Sequence, residues 1–229
     1  MTALADAFRR FKTAERAAVQ YSNDSLTRQA LQRERARRLA AARDDFRAGA
    51  PQTDPASLEW AERKRQEALD ALAPTDADSV ALIGNEWAKV EALLDSGRNL
   101  EQLIVEASPL RLSAILDRMP TRLIVTSTEP DAALAEVTSL ALDRLETLED
   151  PAALLATGLT KTANHSGAWG RVIQQATTPF EEVGVPALTA LYNASPEDYE
   201  AVQEHLGYDA ALSNAIRAVD AAPGDPGAR

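Results

Sequence analysis

The sequence predicts an all-α protein in which an extended N-terminal helical arm or hairpin is followed by a compact multi-helix body. Three observations predict it. Apolar residues recur at helical spacing along nearly the whole chain. Pro, Gly, Ser, Asn and Asp punctuate that pattern where helices start and stop. Finally, charge is split along the chain: residues 1–50 hold 11 Lys and Arg against 6 Asp and Glu, and residues 51–229 hold 13 against 29. With 45% hydrophobic but only 5% aromatic residues, the core has to be filled by Leu, Val, Ile and Ala, which suits close helix-on-helix packing.

In the first helix Leu4, Phe8, Phe11, Ala18 and Val19 share one face, with Glu15 inside it. A second stripe, Leu31, Leu39, Ala42 and Phe46 around Arg35, lies opposite the first on a single helical projection. The intervening Ser22-Asn23-Asp24-Ser25 offers four N-cap residues in a row, so the spacing predicts a break there and a new helix from near Ser25. The alternative is one rod of roughly 45 residues, about 65 Å long. A charge inside an apolar stripe either snorkels or pairs at a helix interface, and Glu15 is expected to pair with Arg35 or Arg65.

Gly49-Ala50-Pro51 ends this region, and Asp54-Pro55 opens a helix to about Ala73 with Leu58, Ala61, Ala68, Leu69 and Leu72 on one side and Trp60 pointing away. A helix from Asp76 or Asp78 to about Asp95 carries Val80, Ile83, Trp87, Val90 and Leu94 and stops at Ser96-Gly97. Asn99 caps a short helix over Leu100–Ala107, and Ser108-Pro109 starts another that reaches Met119 before Pro120. The run Arg122–Thr128 has strong β-propensity but no partner strand, which predicts a buried helix or an extended connector.

Glu129-Pro130-Asp131 opens a helix with Leu134, Val137, Ala141, Leu145 and Leu148 on one face, and Pro151 starts the next, through about Leu159. Thr160–Arg171 (TKTANHSGAWGR), with two glycines and many polar groups, reads as a loop. Helicity resumes over Val172–Ala176, then from Val185-Pro186 to Asn193, from Ser195-Pro196 to Leu206-Gly207, and from Asp209 to about Ala221 with Leu212, Ile216 and Val219. The divisions expected are a charged arm over 1–73, basic in 1–50, an acidic helical body over 74–221 and a disordered tail over 222–229.

Zero cysteines exclude disulfides, thiolate ligands and a cysteine nucleophile. There is no Walker loop, no G-x-G-x-x-G and no Glu-x-x-His pair, so no cofactor or metal is expected. The N-terminus MTALADAFRRFK lacks an apolar signal core, and no stretch approaches ~18 uninterrupted apolar residues. A cytoplasmic protein without membrane contact is expected, or a virion-associated one if phage-encoded, since Ala-, Arg- and Asp-rich usage suits a high-GC bacterial genome or its viruses.

The leading functional expectation is a non-enzymatic helical assembly or adaptor protein, associating with itself or another protein. Phe8, Phe11, Leu31, Leu39 and Trp60 are its apolar anchors and Arg33, Arg37, Arg38 and Arg43 its electrostatic ones. Nucleic-acid binding through the same arginines is an alternative, weakened because they spread around the helix among Glu34, Asp44 and Asp45. A second alternative is a small-molecule enzyme or binder at the 160–171 segment, where Lys161, Asn164, His165 and Arg171 lie close in sequence beside Gly167 and Gly170.

Overall fold

The computed structural model describes residues 2–51, 55–206 and 210–221. Eleven helices and no strand are found among them: α1 (Ala3–Gln20), α2 (Arg28–Ala48), α3 (Pro55–Asp70), α4 (Ala77–Asp95), α5 (Leu100–Val105), α6 (Pro109–Thr126), α7 (Pro130–Thr147), α8 (Pro151–Thr177), α9 (Val185–Ala194), α10 (Pro196–His205) and α11 (Ala210–Asp220). The expected Asp54 cap, the Gly207 stop, the Asp209 start and the 222–229 tail lie outside the described residues. The chain divides into two compact units, residues 1–54 with 161–229, and residues 55–160. This differs from a boundary near residue 73, because Ala68 and Leu72 of the α3 region pack into the core of the 55–160 unit.

In unit 1, α1 and α2 form a helical hairpin. The N-cap hydroxyl of Thr27 accepts from the Ala30 N–H, so α2 begins at Arg28, three residues after Ser25; Asn23 instead folds the turn by accepting from the Ser25 N–H at 3.0 Å. The charges expected to pair across the stripes find other partners. Arg35 Nε donates to the Tyr21 carbonyl at 2.8 Å, Glu15 accepts from Lys12 on its own helix, and Arg65 lies 3.9 Å from Glu62, one turn back on its own helix. A carbonyl at the open end of α1 needs a donor, and Arg35 supplies one at the cost of a single buried stem.

The unit's core is aromatic where the hairpin meets α8. Phe11 and Phe46 stack at 4.7 Å, Phe8 lies 5.8 Å from Phe46 and 6.4 Å from Trp169, and Ala5, Ala42, Val172, Ile173, Leu191 and Val202 fill the surroundings. Each buried ring contributes roughly 1.5–3 kcal/mol from area alone. A smaller cluster of Ala18, Val19, Leu39 and Val219 joins the turn-side half of the hairpin to α11.

Unit 2 packs α4 beside α6, α6 beside α7, and α3 and α5 against α7 around Val90, Leu103, Ile104, Leu112, Ile115, Met119, Val137, Ala141 and Leu145. Its punctuation follows the sequence closely. Asp76 and Ser79 form a reciprocal capping box, Ser108 caps α6 with Pro109 in the first turn, and Asp150 accepts from the N–H groups of Ala152 and Ala153. Gly97, at φ +89°, lets the chain leave α4 with its N–H on the Leu94 carbonyl and that of Arg98 on the Leu93 carbonyl.

Pro120 does not end its helix: α6 continues to Thr126 with Pro120 inside it. Two ion-pair ties flank the proline and hold α6 to α4, Arg111 to Glu86 at 2.8 Å and Arg122 to Asp95 at 2.7 Å. The segment Arg122–Thr126 is therefore helical, and it is not buried as a whole, since Ile124 and Val125 are 71% and 82% exposed.

Candidate functional site

The segment Thr160–Arg171 is not a loop. It is the middle of α8, which runs unbroken through Gly158, Gly167 and Gly170. A Cβ placed on any of these glycines would meet nothing within 4 Å, so they mark neither a close approach nor a turn. On the continuous helix His165 and Trp169 are four residues apart and share a face. Arg171 is turned about 120° from His165 and is exposed, as are Lys161 and Asn164.

His165 and Trp169 converge on a residue with no local sequence signal. Asp198, on α10 and 0% exposed, accepts from His165 Nε2 at 2.7 Å and Trp169 Nε1 at 2.9 Å on one oxygen, and from Thr2 Oγ1 at 2.8 Å on the other. Thr2 is at the same time the N-cap of α1. Burial pushes the Asp198 carboxyl up, but the hydrogen bonds from His165, Trp169 and Thr2 together outweigh it and hold the group below the ordinary aspartate range. An ionised carboxylate only accepts, so Nε2 of His165 carries the hydrogen. No hydroxyl among the described residues bonds to His165, and the arrangement lacks the nucleophile of a Ser-His-Asp triad. It fastens α1, α8 and α10 together.

The anchors named from the sequence separate in the structure. Phe8, Phe11 and Leu39 are interior, Leu31 is half-buried and Trp60 is exposed. Arg37 and Arg38 both hold Glu34, whose pKa is lowered to about 2 by hydrogen bonds from these two guanidiniums, and Arg38 also lies 3.8 Å over the Tyr21 ring. Arg43 is 8% exposed and grips Asp220. Arg33 is exposed and has no ion-pair partner among the described residues.

Two surfaces remain. Unit 1 contains an open cleft of about 540 Å³ bordered by α1, α11, the end of α10 and residues 180–183; Lys161, Asn164, His165 and Arg171 do not line it. Unit 2 carries most of the exposed apolar surface: of 14 large hydrophobic residues exposed among the described ones, 11 lie in 55–160, including Leu58, Trp60, Leu82, Val105, Ile124 and Val125. Charge follows the same division. Residues 55–160 hold 19 acidic against 9 basic side chains, whereas 1–54 with 161–229 hold 16 against 15. The basic hairpin and the acidic C-terminal helices thus neutralise one another within one unit, and the net negative charge belongs to the other.

Among the described residues no three His, Asp or Glu side chains gather as metal ligands, and no helix is long and apolar enough to cross a membrane. No family profile, no curated protein and no solved structure matches the chain.

Proposed function

We infer that this is a non-enzymatic helical assembly or adaptor protein whose contact surface for a partner protein lies on unit 2. The observation that carries the reading is the pair Ile124 and Val125, 71% and 82% exposed, on a unit that also leaves Trp60 and Leu82 in solvent and bears a formal charge of −10. Exposed apolar side chains on a charged body mark interaction surfaces, and the acidic surround selects a partner face with apolar residues ringed by Lys and Arg. The composition suits a bacterial or phage assembly component, in the cytoplasm or the particle.

Light scattering coupled to size exclusion tests it. A mass above the 24.6 kDa of one chain that falls to that value in Ile124→Asp/Val125→Asp supports self-association through α6. A monomeric wild type requires a foreign partner, and the reading fails if the double variant then retains the same proteins as the wild type in affinity capture.

Nucleic-acid binding is the second reading, supported by Arg10, Arg28 and Arg33, exposed and without ion-pair partners among the described residues. Absence of a mobility shift with DNA or RNA at low salt removes it.

A further inference from the structure

The unit 1 cleft combines four features. Its base contains buried charge. Glu15, 3% exposed, meets Lys12, and Arg43 meets Asp220 with side chains 9% and 5% exposed. Charges withdrawn from water are costly before pairing, and the buried Nε of Arg43, a residue that lines the cleft, has no hydrogen-bond partner among the described residues. A second feature is an apolar side, formed by Leu188, Leu206, Leu212 and Ile216.

The third is a strained aromatic at the mouth. Phe180 lines the cleft, is 60% exposed and sits at φ +65°, a left-handed conformation that is unfavourable for a non-glycine residue. Nothing about its own burial offsets that cost, because the ring is held out in solvent at the edge of the cavity. Backbone strain that packing does not explain concentrates at ligand clamps.

The fourth is the distribution of unspent charge. Arg9, Lys12 and Arg16 project along one side of α1, at i, i+3 and i+7, and all line the cleft. Arg9 is held by Asp6, Lys12 by Glu15 and, across the cleft, Arg217 by Glu182. Of the cleft's arginines and lysine, Arg16 alone has no partner among the described residues; of its carboxylates, Glu181 and Glu204 have none. Among the described residues, then, one guanidinium without an ion-pair partner and two such carboxylates border an apolar side, and they match a molecule with a carboxylate, an ammonium group and an apolar body between them.

We propose that the cleft is a binding site for an amphipathic zwitterion of the size of an apolar dipeptide. Its carboxylate lies on Arg16, which offers a planar pair of donors, its ammonium on Glu204 or Glu181, and its apolar side chains against Leu206, Leu212 and Ile216 under the Phe180 ring. A volume of about 540 Å³ is within the range of small-ligand sites. The site belongs to unit 1 and is independent of the partner surface inferred on unit 2.

Isothermal titration calorimetry of the full-length chain with L-leucyl-L-leucine tests it. Saturable binding is expected, at least about tenfold weaker for N-acetyl-leucyl-leucine, which lacks the ammonium, and for leucyl-leucinamide, which lacks the carboxylate. Arg16→Ala and Phe180→Gly are expected to weaken binding by a similar factor. Phe180→Gly separates site from scaffold, because glycine accepts the positive φ without strain: its melting temperature stays level or rises while affinity falls. Absence of binding to the dipeptide overturns the proposal. So does unchanged affinity in either variant, or binding of either blocked dipeptide as tight as that of leucyl-leucine.

Discussion

Arg43 closes a two-point grip on Asp220, Nη1 to Oδ1 at 2.6 Å and Nη2 to Oδ2 at 2.9 Å, between residues 177 positions apart in the chain. Bidentate pairing of this kind fixes direction as well as distance, and it ties α11 to the hairpin beside the small Leu39–Val219 cluster. Removing one partner strands a buried charge. Arg43→Ala and Asp220→Ala are each expected to destabilise unit 1 by about 3–5 kcal/mol in urea unfolding, whereas Arg43→Met/Asp220→Leu costs far less. If the double replacement is as damaging as either single one, the pair contributes more than mutual neutralisation.

Phe8 and Phe11 belong to the interior of their own unit. Phe8→Ala is expected to cost about 3–5 kcal/mol and to abolish the environment of Trp169, 6.4 Å away. Trp60 and Trp87, in unit 2, supply an internal control. Fluorescence-detected unfolding of variants keeping Trp169 alone, or Trp60 and Trp87 alone, is expected to show the early loss only in the first. Equal shifts in both would show that the two units unfold together.

Asp198 makes stability depend on pH in a definite direction. Its folded pKa lies below the ordinary value because three donors outweigh its burial, so its contribution is complete above the unfolded aspartate pKa of about 3.9. It is lost as pH falls from there through the lower folded value. Asp198→Asn is expected to cost about 2 kcal/mol at pH 7, with the gap to wild type narrowing below about pH 4. A gap that persists unchanged at pH 3 contradicts the assignment.

Gly167 and Gly170 lie inside α8 with open space where a Cβ would go. Gly167→Ala and Gly170→Ala are each expected to stabilise the protein by about 0.5–1 kcal/mol, by restricting the unfolded chain and favouring the helix. A drop in thermal midpoint for both would mean that α8 bends there in solution.

The helical class and most boundaries in unit 2 were legible in the sequence, because caps such as Asp76, Ser108 and Asp150 act within three residues of themselves. Pro120 and the Thr160–Arg171 segment misled for one reason. Intrinsic preference argues for a stop at both places, but burial of Leu112, Ile115, Met119 and Leu123 in one case, and of Ala168, Trp169, Val172 and Ile173 in the other, outweighs a few kcal/mol of propensity. Asp198 follows the Ser195-Pro196 helix start with no signal of its own. Its partners are 29, 33 and 196 residues away, and nothing local announces them. The basic stretch was visible as composition, but whether Arg43 faces a partner molecule or Asp220 depends on where residue 220 returns in space.

The division into units also orders events in time. Unit 2 is one uninterrupted stretch, 55–160, whereas unit 1 is assembled from 1–54 and 161–229. During synthesis the hairpin is made before unit 2, and of the surface that covers Phe8 and Phe11 it supplies only its own Phe46 and Ala42; Trp169 and Asp198 follow only after the whole of unit 2 has been made. Closing so long a loop is slow relative to folding a contiguous helical block, so unit 2 is expected to be native while the first fifty residues still wait with their aromatic rings in water. The vulnerable period of this protein's life is that interval, and chaperone capture or aggregation of nascent chains should concentrate on its N-terminal helices.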